Sequence, residues 1–283
     1  MSDPVSSLRQ RVRLFLPRIR PSAICIGGQK CGTSALHAYF KLHSEVAVSE
    51  EKEIDFFCCN ALYSRGTSYY HSHFPTRMPK RLKMKGLDVT PGYLGGAKRA
   101  ARRIYAYNSE IKLIFLVRDP VDRAFSAWKM YVKLCAQDRQ WFQAWMCRCA
   151  GRCEVASFLP RSRFGEDFLT DVREEIEALR HGKVLEMPIV QLSLYASYLR
   201  HYTNIFPESQ MLAIRSERMR ENPAEELARI CQFIGVAPFP SETVFTPYFE
   251  GGYSDECPTA ARDLLESFFA DDQVELAGML SAL

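Results

Sequence analysis

Three glycines, a lysine and two hydroxyls crowd into one short stretch, Gly27-Gly28-Gln29-Lys30-Cys31-Gly32-Thr33-Ser34, directly after the apolar run Ile24-Cys25-Ile26. Glycine reaches backbone angles closed to other residues, so the main-chain N–H groups of such a loop can turn together toward one ligand. A helix starting just beyond it aims the positive end of its dipole at the same point. Lys30 adds a full charge, and Thr33 and Ser34 add hydroxyl donors. This is chemistry for gripping a multiply charged phosphate- or sulfate-bearing group. A nucleotide-hydrolysing P-loop carries its lysine and Ser/Thr immediately after the last glycine. Here Lys30 precedes Gly32 by two places and Thr33 follows it directly, so the loop is P-loop-like with a spacing that disfavours a kinase or NTPase.

A second basic group is Arg118-Asp119-Pro120-Val121-Asp122-Arg123-Ala124-Phe125-Ser126, after Ile111–Val117. Asp119 suits a helix N-cap and Pro120 the first helical position, which leaves Arg118 at the end of a strand and Ser126 about two turns into the helix that follows. In open α/β sheets ligands bind at those strand ends. The plainer alternative is that Arg118 and Arg123 pair with Asp119 or Asp122 as surface ions of little energetic weight. A carboxylate for proton abstraction is offered by Glu50, Glu51 and Glu53, which run into Ile54-Asp55-Phe56-Phe57.

Positioning these groups requires strands that end beside one another. Ile111–Val117, nearly all apolar and rich in branched residues, predicts a central strand; Ile24–Ile26, Glu45–Ser49, Leu87–Val89 and Met211–Ile214 predict others. Helical spacing follows Gly32 and recurs over Gly96–Tyr107, Pro120–Tyr131, Phe168–Leu179, Val190–Phe206 and Pro223–Ile234, and 258–283 reads as a closing helical pair. Residues 135–163 show no clean period. Strands alternating with helices predict one α/β domain, a central parallel β-sheet flanked by helices. We expect a basic N-terminal arm over residues 1–21 and one domain over 22–283.

Composition excludes disorder: of 283 residues, 47% are hydrophobic and 25% charged. The net charge is only +4, but basic residues cluster at Arg9–Arg20, Arg77–Lys85 and Lys98–Arg103, which favours anionic partners or simply makes solvated faces. No nucleic-acid motif accompanies them, so no nucleic-acid partner is expected. No apolar run reaches the roughly 20 residues of a bilayer span, and the start lacks a secretory apolar core. The expectation is a cytoplasmic protein if the chain is complete, or a Golgi-lumenal one if an anchor preceded it. The ten cysteines are scattered; Cys147, Cys149 and Cys153 lack the partners of a zinc site, so free thiols or a local disulfide are expected.

Gly28-x-Lys30-x-Gly32-Thr33 after the first strand, with Arg118-Asp119-Pro120-x-x-Arg123-x-x-Ser126 after a later one, resembles the paired cofactor signatures of sulfotransferases that use 3′-phosphoadenosine 5′-phosphosulfate (PAPS). The chain is most similar to the Golgi-type carbohydrate enzymes, the heparan sulfate N- and 3-O-sulfotransferases, across roughly 22–280, including Ser49–Phe57, Thr90-Pro91-Gly92-Tyr93, Phe206-Pro207-Glu208 and Phe268–Leu280. The resemblance implies that Gly28, Gln29, Lys30, Cys31, Gly32, Thr33 and Ser34 form a phosphosulfate-binding loop, that Arg118 and Ser126 take the 3′-phosphate, and that backbone donors of Gly251, Gly252 and Tyr253 assist. It implies Glu53 as the base, Lys30 as the cation at the leaving phosphate, and no required metal. Asp55, which stands where the 3-O-enzymes carry a histidine, and Tyr93, Arg161 and Arg163 are candidates on the acceptor side, with Trp141 and Trp145 able to stack on a sugar. The expected acceptor is a glycan or a small hydroxyl or amine metabolite. Three departures stand out: the family's lysine before the Thr-Pro turn is Val89, its Lys-Gly-Arg loop aligns with Glu250-Gly251-Gly252, and its disulfide has at most one counterpart, Cys257. A nucleotide-binding module of the same fold with weakened catalysis is the alternative that Val89 and Gly252 suggest.

Overall fold

In the computed structural model, residues 17–77, 83–149, 159–161, 163–246, 248 and 256–283 are described. The basic arm up to residue 16, Cys153 and the expected nucleotide contacts Gly251, Gly252 and Tyr253 lie outside the described residues.

The apolar runs become β1 (Pro21–Gly27), β2 (Val46–Val48), β3 (Lys85–Val89), β4 (Lys112–Val117) and β5 (Met211–Arg215). All pairings are parallel, in the order β2-β3-β1-β4-β5. In β1 every residue but Ser22 is buried, and in β4 every residue beyond Lys112. Burial on both faces is why these strands read as continuous rather than alternating apolar runs. Cys25 of β1 stands opposite Val89 of β3 on one side and Ile114 of β4 on the other. From β1 the chain runs out to β2 and β3 on one side, then crosses to β4 and β5 on the other. The order therefore reverses between β1 and β4, and there an open parallel sheet offers its ligand crevice outside the carboxyl ends.

The helices are α1 (Thr33–Phe40), α2 (Asn60–Tyr63), α3 (Gly66–Ser72), α4 (Gly92–Gly95), α5 (Ala97–Tyr107), α6 (Pro120–Gln137), α7 (Arg139–Cys149), α8 (Phe168–Arg180), α9 (Tyr195–Thr203), α10 (Ser216–Glu221), α11 (Pro223–Ile234) and α12 (Thr259–Ala282). One apolar cluster surrounds the sheet, and a second fills the space between α6, α8 and α12. The start of α6 follows its sequence signals: Asp119 accepts a 2.8 Å hydrogen bond from the Asp122 N–H, and Pro120 is the first helical residue. Among the described residues no helix is long and apolar enough to cross a membrane.

Three local readings are corrected. Residues 258–283 hold one helix of 24 residues, not a pair. Asp271-Asp272 suggests a break, but Asp272 instead caps the start of α9, accepting from the N–H groups of Ala196 (3.3 Å) and Ser197 (3.4 Å). The helical spacing of 190–206 shortens to a 3₁₀ turn, Gln191–Ser193, followed by α9. Within the patternless 135–163, α7 forms, started by Asp138, whose carboxylate accepts from the Trp141 N–H at 2.9 Å.

Candidate active site

The glycine loop leaves β1 at the order reversal and is held there by contacts no side chain could make. Gly27 has φ 138°, and a Cβ on it would lie 2.9 Å from the Pro91 carbonyl oxygen. Gly32, at φ 91°, caps α1 with left-handed backbone. The Gly28 N–H donates to the Leu116 carbonyl at 2.7 Å, fastening the loop to the end of β4, two residues before Arg118. Arg118 in turn donates from Nη1 to the Lys30 carbonyl at 3.3 Å. The two basic groups that the sequence spaces far apart thus touch.

Lys30 holds a left-handed backbone angle, φ 67°, uncommon for a residue with a side chain. Its ammonium reaches the Met130 thioether, a weak acceptor, at 3.6 Å. Ser126 is one turn before Met130 on α6, so it shares the face that meets the loop. Gln29 is anchored to the same helix, accepting from the Tyr131 hydroxyl. Burial, then the charges of Arg118, Lys52 and Arg123, lower the Lys30 ammonium from its ordinary range to about 8. A cluster of cations that depresses one of its own members is short of negative charge, which an anionic ligand would supply.

Arg123 is fully buried, not the surface ion partner of Asp119 or Asp122 that the sequence allows. Nε donates to Ser193 Oγ at 2.6 Å, Nη2 donates to the Ile189 carbonyl, and Nη1 has no hydrogen-bond partner. Asp122 pairs instead with Arg262 at 2.7 Å. A buried guanidinium with an unsatisfied nitrogen near Lys30 and Cys31 adds to the positive field under the loop.

Cys31, expected among the nucleotide contacts, turns its thiol into the core at 3.3 Å from the Tyr195 hydroxyl, and its N–H donates to the Gly28 carbonyl at 3.2 Å. Burial raises that thiol above its ordinary range. Thr33 is buried, whereas Ser34 is half-buried at the first turn of α1.

Glu53 stands beside this loop. Its backbone is left-handed, φ 63°, as is that of Asp55, φ 55°. The segment is pinned to the end of β3: the Glu53 N–H donates to the Val89 carbonyl at 3.3 Å, and the Ile54 N–H to Thr90 Oγ1 at 3.1 Å. The Thr90 hydroxyl in turn donates to buried Asp88 at 2.7 Å. Asp88 also accepts from Tyr70 (2.8 Å) and Tyr93 (3.0 Å), and burial pushes its carboxyl up to about 6. A residue not singled out from sequence joins the two halves: Lys52 donates to Ser34 Oγ and to Glu53 Oε1, both at 2.8 Å. Its only sequence signal is its place next to Glu53.

The acceptor-side candidates divide. Tyr93 is fully buried with its hydroxyl committed to Asp88, so it supports the β3 end and is not open to an acceptor. Arg161 is likewise buried, held by Glu175 at 2.6 Å, the Asp171 carbonyl at 2.9 Å and the Glu186 carbonyl at 3.0 Å. Glu175 also accepts from the N–H groups of Ile189, Val190 and Gln191, which fixes the segment that holds Arg123. Arg161 is therefore a structural cation, and Asp55 is buried at 2% exposure. Arg163 is exposed, and Trp141 stacks on Trp145 with centroids 6.0 Å apart on α7.

Comparison with known proteins agrees with this geometry. Residues 20–246 match the sulfotransferase domain family. Human heparan sulfate glucosamine 3-O-sulfotransferase 6 is 29% identical over 245 residues, covering 83% of this chain and 60% of that protein. Mouse heparan sulfate glucosamine 3-O-sulfotransferase 3B1 is 30% identical over 217 residues, covering 76% of this chain and 46% of that protein. The chain thus spans about half the length of these relatives. A solved sulfotransferase from Alicyclobacillus acidocaldarius superposes with a TM-score of 0.67 at 22% identity, covering 93% of this chain and 96% of that one, and so shares the fold.

Proposed function

The chain belongs to the sulfotransferase domain family, and from that premise we propose that it moves a sulfuryl group from 3′-phosphoadenosine 5′-phosphosulfate to a hydroxyl or amine of a carbohydrate, with Glu53 as general base. The observation that carries the reading is convergence: the Lys30 loop, Arg118 on its carbonyl and Glu53 tied through Lys52 to Ser34 meet at one strand-end crevice. The residues fit the donor because Arg118, Lys52 and buried Arg123 lie close enough to Lys30 to repel its ammonium, and among the described residues Lys52 alone is paired with a carboxylate there, Glu53.

The donor brings an activated sulfuryl group on a phosphate leaving group. The residues of the chain supply position and charge. Loop N–H groups, Lys30 and Ser34 hold the phosphosulfate end, and Arg118 with Ser126 hold the 3′-phosphate. Glu53 takes the proton of the acceptor as the new bond to sulfur forms, and Lys30 stabilises the negative charge that gathers on the departing phosphate oxygen. Positioning and electrostatics then account for the acceleration, as in phosphoryl transfer. A carbohydrate acceptor is favoured over a small metabolite by the relatives named as heparan sulfate glucosamine 3-O-sulfotransferases and by the exposed Trp141, stacked on half-buried Trp145. A glycan acceptor is consistent with the Golgi lumen as the compartment.

The test is transfer of labelled sulfate from PAPS to de-O-sulfated heparan sulfate. Glu53→Gln is expected to lower turnover by about 10²–10⁴-fold while binding of the product nucleotide changes less than about threefold. Near-full turnover by Glu53→Gln, or no PAPS binding by the native chain, overturns the reading.

A further inference from the structure

We propose that Lys52 is a further catalytic cation of this site, contacting the sulfuryl oxygens of the donor and bridging them to Glu53, so that it replaces from a neighbouring segment the charge that Val89 does not provide. The inference rests on the donor and base assigned above and goes beyond them by adding a residue and a reason for it.

The geometry is specific. One ammonium has three N–H donors, and two of those of Lys52 are aimed at Ser34 Oγ and Glu53 Oε1, both at 2.8 Å. These acceptors belong to the two halves of the site, the anion loop and the base. The third donor is the one we assign to a sulfuryl oxygen. The Lys52 side chain is 21% exposed and that of Glu53 22%, enough shielding for the charges to be felt while the crevice stays reachable. An ion pair between neighbouring residues at such exposure adds little to stability, so its function lies elsewhere.

Chemistry supplies the need. A carboxylate base and a sulfuryl group are both negative, and the acceptor must fit between them. Their repulsion opposes the approach unless a cation stands beside both. At the end of β3, Val89 is fully buried and carries no charge. Its carbonyl, however, receives the Glu53 N–H at 3.3 Å, so the 52–53 backbone runs alongside the same strand end. Lys52 and Glu53 are thereby held at that strand end. The left-handed angle at Glu53, φ 63°, turns the chain where the two adjacent side chains take up their shared position.

Calorimetry with PAPS and with its desulfated product tests this without any acceptor. Lys52→Met is expected to weaken PAPS at least tenfold and the product less than threefold, because only the donor carries the sulfuryl group; Lys30→Met weakens both. Lys52→Arg is expected to keep PAPS affinity within threefold. In sulfate transfer to de-O-sulfated heparan sulfate, Lys52→Met is expected to lose at least a hundredfold in kcat, and Lys52→Arg to stay within about tenfold of the native chain. Equal PAPS and product affinities for Lys52→Met and the native chain, or equal losses for both ligands, overturn the proposal, the second result marking a merely structural lysine. Failure here is distinct from failure of the donor and base assignment: in that case the native chain does not bind PAPS or Glu53→Gln stays active.

Discussion

If the crevice is built for the nucleotide, its affinity must fall as pH rises, because the Lys30 ammonium is already lowered to about 8 before a ligand binds. Desolvation is the first cause, and Arg118, Lys52 and Arg123 add their repulsion. The sign follows from which form binds. A bound phosphate favours the ammonium and restores it toward its ordinary range, so binding near pH 8 takes up about half a proton. Affinity is full well below the free-state value and declines above it. With a free-state value of about 8, the charged fraction drops about tenfold between pH 7 and pH 9, which corresponds to about 1.4 kcal/mol of binding. The phosphates of the ligand lose their last protons near pH 6 and do not contribute in this window. Calorimetry of 3′-phosphoadenosine 5′-phosphate in two buffers of different ionisation enthalpy reads both the affinity and the proton count. Lys30→Arg provides the control, since a guanidinium stays charged throughout and its affinity should be level from pH 7 to pH 9. A native affinity that changes less than about twofold over that range, or a Lys30→Arg variant that declines in parallel, refutes the assignment of Lys30 to the phosphate.

Arg118→Ala should weaken the 3′,5′-bisphosphate by roughly 30-fold or more, the effect of losing one partner of a charged pair, while adenosine 5′-phosphosulfate, which lacks the 3′-phosphate, binds variant and native chain alike in the same calorimeter. Arg161→Met should destabilise the protein by about 3–5 kcal/mol, because it strands buried Glu175 and its neighbours without a cation; denaturant unfolding measures this, and a raised acceptor KM with unchanged stability would return Arg161 to the acceptor site. Glu53→Gly and Glu53→Ala should both be inactive, yet the glycine variant should be more stable by about 1 kcal/mol, since only glycine takes the left-handed angle without strain. That difference is about 2 °C in thermal midpoint for a chain of this size.

Local chemistry was legible in the sequence, and partner choice was not. The anion loop, the strand before it and the helix after it are written contiguously, so Gly27 to Ser34 announce themselves. The cap of Asp119 and the proline beside it are equally local, and they place Arg118 and Ser126 correctly relative to β4. Parallel pairing follows from the alternation of strands and helices. What sequence cannot convey is which cation a distant carboxylate will claim. Arg161, Arg163 and Arg123 look alike as letters, but the Glu175 carboxylate claims the first, solvent keeps the second, and Ser193 with Ile189 takes the third. Tyr93 reads as an acceptor contact from its motif, and only the fold brings it to Asp88.

The residues bearing the chemistry share one further property invisible in the letters. Lys30 and Glu53 both hold left-handed backbone, a conformation that costs of order 1 kcal/mol each. Neither would keep it in an isolated peptide. Each is over-determined by neighbours: the Lys30 carbonyl by Arg118 and the preceding glycine by Leu116, the Glu53 N–H by Val89 and the next N–H by Thr90 on Asp88. The anchors come from the ends of β3 and β4, the strands flanking β1. The sheet therefore does more than bring Lys30, Arg118 and Glu53 together: its strand ends hold the backbone at both reactive residues in angles that a free chain would relax, and they orient the ammonium and the carboxylate before any ligand arrives.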